Sequence, residues 1–314
     1  MKSIEPAFRH TPAAIRICPE SILLKQKSLW MGSCFTENMS PWLQGLGYEI
    51  ESNSFGVVYH PMMILKLLHA RADELFPYSF ERDGVWLNFL TGSAFAARSE
   101  SELSDQLVQA AERCQSALRE SNWLVLTFGS AFLYHHHALG PVGKCHKLPA
   151  SGFEKKLSSV GEISQAWVSA IEFIRKQKPD LKVLLSLSPV RHSRDGLEEN
   201  AVSKSILRVS ISEICRRLPS IYYFPAWEIM TDELRDYRFY AADLVHPSGE
   251  AIAYLQQQFE LRFLHPEEGK IRQLARELQQ LRQHRPQAEW SPAYRQWQEH
   301  IQEKEELLRK AKTL

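Results

Sequence analysis

The sequence has no run of about 18 apolar residues, the length a helix needs to cross a bilayer. Its opening stretch from Met1 to Ile17 is interrupted by Glu5, Arg9, His10 and Arg16, so it lacks the apolar centre of a secretory signal. An excess of one charge is missing too. The 38 basic and 37 acidic residues leave a formal net charge of +1, which supplies no field to gather nucleic acid or an anionic membrane, and neither is expected as a partner. Cysteine is scarce: five residues, at 18, 34, 114, 145 and 215, odd in number and without a paired Cys-x-x-Cys. A disulfide framework is therefore not expected, and a reducing, cytoplasmic setting fits better. Apolar residues are plentiful, at 44% of 314, enough for one large core.

The chain is organised around Leu29-Trp30-Met31-Gly32-Ser33-Cys34-Phe35-Thr36-Glu37-Asn38. A short apolar strand runs into a glycine and two small nucleophilic side chains, and Thr36 can cap a helix carrying Met39, Trp42, Leu43 and Leu46 on one side. Such an elbow presents a thiol or hydroxyl beside the positive end of a helix dipole. An ordinary turn with Cys34 as a small buried residue accounts for the same stretch.

Tyr48 to Glu51 reads as a second strand leading to a glycine loop at Gly56, and Met62 to Arg71 as a short helix. Arg82-Asp83-Gly84 signals a hairpin within a β insertion at about 77–98. Ser101 to Glu120 is helical with Cys114 inward, and Trp123 to Phe128 is a buried strand ending at Gly129. Ala131 to Phe153 reads as a long loop holding His135, His136, His137, Cys145, His146 and Lys147. Then come a helix over 163–176, a strand over 181–187 ending at Ser188-Pro189-Val190-Arg191-His192, a helix over 201–218 with Val202, Ile206, Val209 and Leu218 inward, and a strand at 221–224. Five strands alternating with helices predict an α/β fold, a three-layer doubly wound parallel sheet whose ligands bind at the carboxyl ends of the strands. From His265 the composition shifts to Glu, Gln, Arg and Lys, which predicts domains of 1–264 and a helical appendage of 265–314 that covers the core or forms a homodimer contact.

Asp243-Leu244-Val245-His246-Pro247 places a carboxylate three residues before an imidazole, so that Asp243 can hold one ring nitrogen while the other faces a nucleophile. Together with the elbow, this order resembles the SGNH, or GDSL-like, hydrolases. Gly32-Ser33-Cys34-Phe35, Asn53-x-Phe55-Gly56, Cys145-His146-Lys147, Ser188 to His192 and Leu234-Arg235-Asp236-Tyr237-Arg238-Phe239-Tyr240 resemble, more closely, the bacterial GSCFA-domain family, with Thr36 at the fifth letter.

The resemblance implies an SGNH-hydrolase (flavodoxin-like) sheet and an acyl ester hydrolase or acyltransferase acting on a small-molecule or glycan ester. Its nucleophile falls on Cys34, its general base on His246 and its orienting carboxylate on Asp243. Ser33 is the alternative nucleophile. A cysteine so placed is expected to be substantially thiolate near neutral pH. The hydrolases carry an asparagine where this chain has Ala131, so the oxyanion is expected to be held by the amides of Cys34 and Gly56, with Ser130 as a further donor. His146 and Lys147 are expected to fold over the elbow and supply positive charge, and Arg191 and His192 to contact substrate. His60, His69 and His265 read as ordinary surface or turn residues. No cofactor and no metal are expected, because no His pair at i, i+4 anchors the histidines of the long loop. The alternative is a catalytically silent glycan-binding or assembly module.

Overall fold

The computed structural model describes residues 16–192, 194, 196–284, 286 and 288–313; most of the opening stretch, 1–15, lies outside the described residues. In chain order the elements are β1 (Lys27–Gly32), α1 (Cys34–Gly45), β2 (Glu49–Ser52), α2 (Pro61–Leu68), α3 (Ala72–Leu75), β3 (Ser79–Arg82), β4 (Val85–Asn88), β5 (Ala96–Ala97) and α4 (Glu100–Glu120). There follow β6 (Trp123–Phe128), β7 (Phe132–His136), β8 (Gly140–Val142), β9 (Phe153–Leu157), α5 (Val160–Arg175), β10 (Lys182–Leu187) and α6 (Leu197–Arg217). The chain ends with β11 (Ile221–Phe224), α7 (Ala226–Glu228), α8 (Gly249–Phe263), α9 (Gly269–Gln283) and α10 (Pro292–Thr313).

β1, β2, β6, β10 and β11 form one parallel sheet in the order β2-β1-β6-β10-β11, the flavodoxin-like arrangement of the expected fold. Period-two alternation sorts the strand residues between two cores. Leu29, Met31, Leu124 and Leu126 face α2, α4, α5 and α6, while Trp30, Val125, Leu184 and Phe224 face α1, α8 and α9. α9 adds Ala275 and Leu278 to the buried residues, and α10 is tied back to it by Trp297 Nε1 donating to Leu281 O at 2.6 Å and by Lys304 with Glu277 at 2.7 Å. Among the described residues no helix is long and apolar enough to cross a membrane.

Four readings of the sequence change. The helix after β1 begins at Cys34, capped by Ser33, whose Oγ accepts from Phe35 N at 3.2 Å. Thr36, read as the cap, is buried, with its hydroxyl on Thr127 Oγ1 at 3.3 Å. The stretch read as a loop contains a three-stranded antiparallel sheet, β8-β7-β9, because Gly140 at φ +72° turns the chain back on itself and the histidines at 135 and 136 lie on a strand. The insertion after α3 has three strands, β3-β4-β5, rather than one hairpin. In α6 the buried stripe is Asn200, Ser203, Lys204, Leu207, Ser210, Ile211 and Ile214, while Val202 and Val209 lie exposed.

The two small sheets stand beside each other at the carboxyl edge of the main one. Gly143 N and Lys144 N donate to Phe89 O at 2.9 and 3.1 Å, Arg82 donates to His146 O at 2.8 Å, and the Phe89 ring lies 5.1 Å from that of His136. They form one wall over the strand ends.

Candidate active site

The elbow is tight because the chain passes from β1 to α1 against the neighbouring strand. Gly32 has φ +144°, and a β-carbon there would lie 2.2 Å from Thr127 O. Its amide donates to Asn53 Oδ1 at 2.9 Å and its carbonyl accepts from Val58 N at 3.0 Å. The turn after β2 thus clamps the elbow from one side. Gly56 serves that turn: its φ is +72°, a β-carbon would meet Gly92 Cα at 2.9 Å, and its amide donates to Asn53 O at 2.6 Å.

Cys34, the first residue of α1, lines a cleft of about 700 Å³ together with Tyr59, Ser130, Lys144, Arg191 and the Asp243–His246 loop. Asp243 Oδ1 accepts from Val245 N and His246 N at 2.9 and 3.0 Å, and Oδ2 lies 2.6 Å from His246 Nδ1. These contacts, the bond to the imidazole foremost, hold the Asp243 carboxyl well below the ordinary carboxylate range. With Nδ1 facing the carboxylate, Nε2 is the nitrogen left to accept a proton. The loop is anchored by Ala241 N on His246 O and Ser248 N on Phe239 O, both at 2.7 Å. That anchor is built from the Leu234–Tyr240 run: Asp236 caps the short turn at Tyr237–Phe239, and the Arg191 guanidinium lies 5.0 Å over the Tyr240 ring.

Burial pushes the Cys34 thiol above its ordinary value, with Glu37 adding in the same direction. The helix-end amides of Cys34 and Phe35 and the Lys204 ammonium pull the other way and do not prevail. The expectation of a resting thiolate is therefore corrected: the thiol is protonated at neutral pH, and attack needs a base. Among the described residues no hydrogen bond joins Cys34 to His246, although both line the cleft. Alkylation of Cys34 by iodoacetamide, followed on its own peptide, should rise with pH to a half-point above the ordinary thiol value of about 8.5. A half-point below that would contradict the dominance of burial over the helix end.

The structure brings most of the sequence-predicted residues together, displaces two and changes the charge expected of a third. Cys34, Asp243, His246, Ser130, His146, Lys147, Arg191 and His192 all line the cleft. Ser33 does not; it is fully buried and its hydroxyl is spent on the helix cap, which corrects its candidacy as nucleophile. Gly56 belongs to a separate cleft with Asn53 and Arg113, and its amide is already used, so it is not an oxyanion donor. His146 is not cationic: burial lowers its pKa, its Nε2 lies 2.8 Å from Asn88 O, and its ring sits against Phe80 and Phe89. Ser130 Oγ accepts from Phe132 N at 3.1 Å, which leaves only its hydroxyl proton to donate, and its amide and that of Gly129 both donate to Tyr59 O, at 3.2 and 2.8 Å. Ala131 is turned inward, its amide on Ser203 Oγ and its carbonyl accepting from Ser158 N. His60, read as a surface or turn residue, caps α2 in the interior next to Ala131 O, and burial lowers its pKa to about 4.

Sequence reasoning missed Tyr59, Lys144 and Lys204. Lys204 is buried beneath the site, donating to Gly129 O at 2.8 Å and Ser188 O at 2.9 Å, the first carbonyls beyond β6 and β10. Burial brings its pKa down to about 7, with the Cys34 sulfur opposing. Asn200, Ser203 and Lys204 at i, i+3 and i+4 carry the signal, a polar turn in phase with Leu207, Ile211 and Ile214. Burial also lowers the pKa of Lys144, opposed by Glu37 and then by the Cys34 sulfur. Tyr59 is held neutral, its pKa raised to about 12 chiefly by burial, and its amide, which donates no hydrogen bond among the described residues, joins that of Cys34 as a candidate donor to a developing oxyanion. No group of three or more His, Cys, Asp and Glu suited to a metal ion occurs among the described residues.

Comparison with protein families matches the GSCFA family over residues 27–259. No curated protein matches the chain. Among solved structures, the Clostridium thermocellum family 3 carbohydrate esterase aligns over 79% of this chain and 97% of its own, at 10% identity and a TM-score of 0.33. An acetyl xylan esterase from the rumen bacterium Butyrivibrio proteoclasticus aligns over 75% and 62%, at 11% identity and a TM-score of 0.38.

Proposed function

The chain belongs to the GSCFA family, and from that premise we propose that it cleaves or transfers acyl groups of esters through a cysteine nucleophile. One observation carries the reading: a helix-end thiol and an imidazole held at 2.6 Å by a carboxylate line the same cleft. In this reading His246 Nε2 takes the proton of Cys34 as sulfur attacks the ester carbonyl and returns it to the departing alcohol; water or an acceptor alcohol, deprotonated by the same imidazole, then takes the acyl group from the thioester and frees the thiol. Asp243 orients the ring and stabilises the imidazolium. The Cys34 amide at the start of α1 and the Tyr59 amide are the backbone donors, with Ser130 Oγ as a third.

The test is steady-state hydrolysis of 4-nitrophenyl acetate by the wild type and by His246→Ala and Asp243→Asn. Loss of the base should reduce kcat by about a thousandfold or more, and the asparagine variant by about a hundredfold, from a misdirected ring. If both variants keep wild-type kcat, the pair is not the catalytic base.

A second reading, a binding module without catalysis, draws on the raised Cys34 thiol and on the Gly129 and Ser130 amides being tied to Tyr59 O. It is favoured if no ester in a panel of acetyl and longer acyl esters turns over while a ligand still protects Cys34 from alkylation.

A further inference from the structure

The cleft holds more positive charge than ester cleavage requires. Lys144, Lys147, Lys155, Arg191 and Arg194 line it, against one lining carboxylate among the described residues, Asp243, which is bound to His246. The whole chain has a net charge of only +1, so this concentration is local. Elsewhere cations are paired: Lys27 with Glu120 at 2.7 Å, Lys182 with Glu20 at 2.7 Å, Arg208 with Glu228 at 2.6 Å and Arg272 with Glu260 at 2.9 Å. In the cleft, Lys144 and Arg191 make no ion pair with a carboxylate among the described residues. Lys144 Nζ donates to Ser93 Oγ at 3.3 Å, and the Arg191 guanidinium lies over the Tyr240 ring. Both are partly buried and give up some hydration, and Glu37, the carboxylate whose charge acts on Lys144, forms no ion pair with it among the described residues. A cation placed so is completed by an anion that arrives with the ligand.

We propose that the cleft receives an ester bearing an anionic group, a carboxylate or a phosphate, which Lys144 and Arg191 hold while Lys147 at the rim draws it in. The ester in this statement rests on the function proposed above; the anion rests on the charge pattern alone. Lys144 comes from the loop after β8 and Arg191 from the corner after β10. Lys144, Arg191 and the Cys34 thiol all line the one cleft.

The experiment uses the wild-type protein and follows iodoacetamide modification of the Cys34 peptide by mass spectrometry. Sodium succinate, inorganic phosphate and neutral succinamide are compared at constant ionic strength. Succinate or phosphate should slow modification saturably, by about threefold or more, and succinamide should not. Protection by phosphate alone assigns the group as phosphate, and by succinate alone as carboxylate. Lys144→Gln and Arg191→Gln should each raise the protecting concentration about tenfold. Absence of saturable protection by either anion in the wild type, or equal protection by succinamide, overturns the proposal. Anion protection without ester turnover overturns the hydrolytic reading and leaves this one. Turnover of neutral esters without anion protection does the reverse.

Discussion

Cys34→Ala is expected to lower kcat on 4-nitrophenyl acetate by about 10⁴-fold or more, because a nucleophile acting as one unit with its base cannot be replaced by the base alone. The folded state should hardly notice. Cys34 is half-buried at the first turn of α1, its amide stays in place, and the loss of one sulfur leaves the Ser33 cap intact. Ser33→Ala makes the converse comparison. It removes the oxygen that accepts from Phe35 N and should cost about 1 kcal/mol of stability with kcat largely kept. Steady-state kinetics and urea unfolding of the two variants separate chemistry from capping. Turnover within tenfold of wild type for Cys34→Ala would refute the thiol as nucleophile.

Gly32→Ala is expected to be the most damaging single methyl group in the sheet. A β-carbon would stand 2.2 Å from Thr127 O, a backbone atom of the neighbouring strand, at a φ of +144° that side chains rarely adopt. β1 and β6 cannot part there without losing the pairing of Gly32 with Thr127 and the two hydrogen bonds that Gly32 makes with Asn53 and Val58. The cost should exceed about 4 kcal/mol, in the range reserved for named structural faults. Little or no soluble protein, or a large fall in the urea midpoint, is the expected result. Gly161→Ala is the control. It lies in the first turn of α5 with nothing within 4 Å of an added β-carbon, and should be neutral or slightly stabilising. Equal behaviour of the two variants would contradict the elbow described above.

The sheet was legible because β1, β6, β10 and β11 are largely apolar runs ending in glycine or proline corners, and because the helices between them repeat at 3.6 residues. The elbow and the Asp243–His246 loop were legible because their chemistry is local: cap, dipole and a three-residue spacing. What failed was non-local. The β7-β8-β9 sheet is built of half-exposed, mixed residues whose pairing partner, Phe153–Leu157, lies many residues away across Gly143 and Pro149. The face of α6 was misjudged because apolarity was used as the measure of burial, whereas its first turns bury Asn200, Ser203 and Lys204 to satisfy backbone groups at the strand ends. Gly56 was given to the oxyanion because a glycine in a loop can offer its amide, and only the approach of Gly92 shows why a side chain is excluded there. The protonation of Cys34 follows from burial and Glu37, which no spacing in the chain expresses.

The segment ahead of β1 is stitched to the far end of α8: Cys18 N donates to Arg262 O at 2.9 Å, Ile22 N to Phe263 O at 2.7 Å, and Leu24 N to Glu268 Oε1 at 3.0 Å. On a ribosome, then, residues 18–24 must wait for residues 262–268 before their amides are satisfied. The same schedule governs chemistry. The elbow, with its helix end, can assemble once β6 is made, but the imidazole of His246 leaves the exit tunnel more than a hundred residues later. A nascent chain therefore carries the sulfur well before the imidazole with which it shares the cleft.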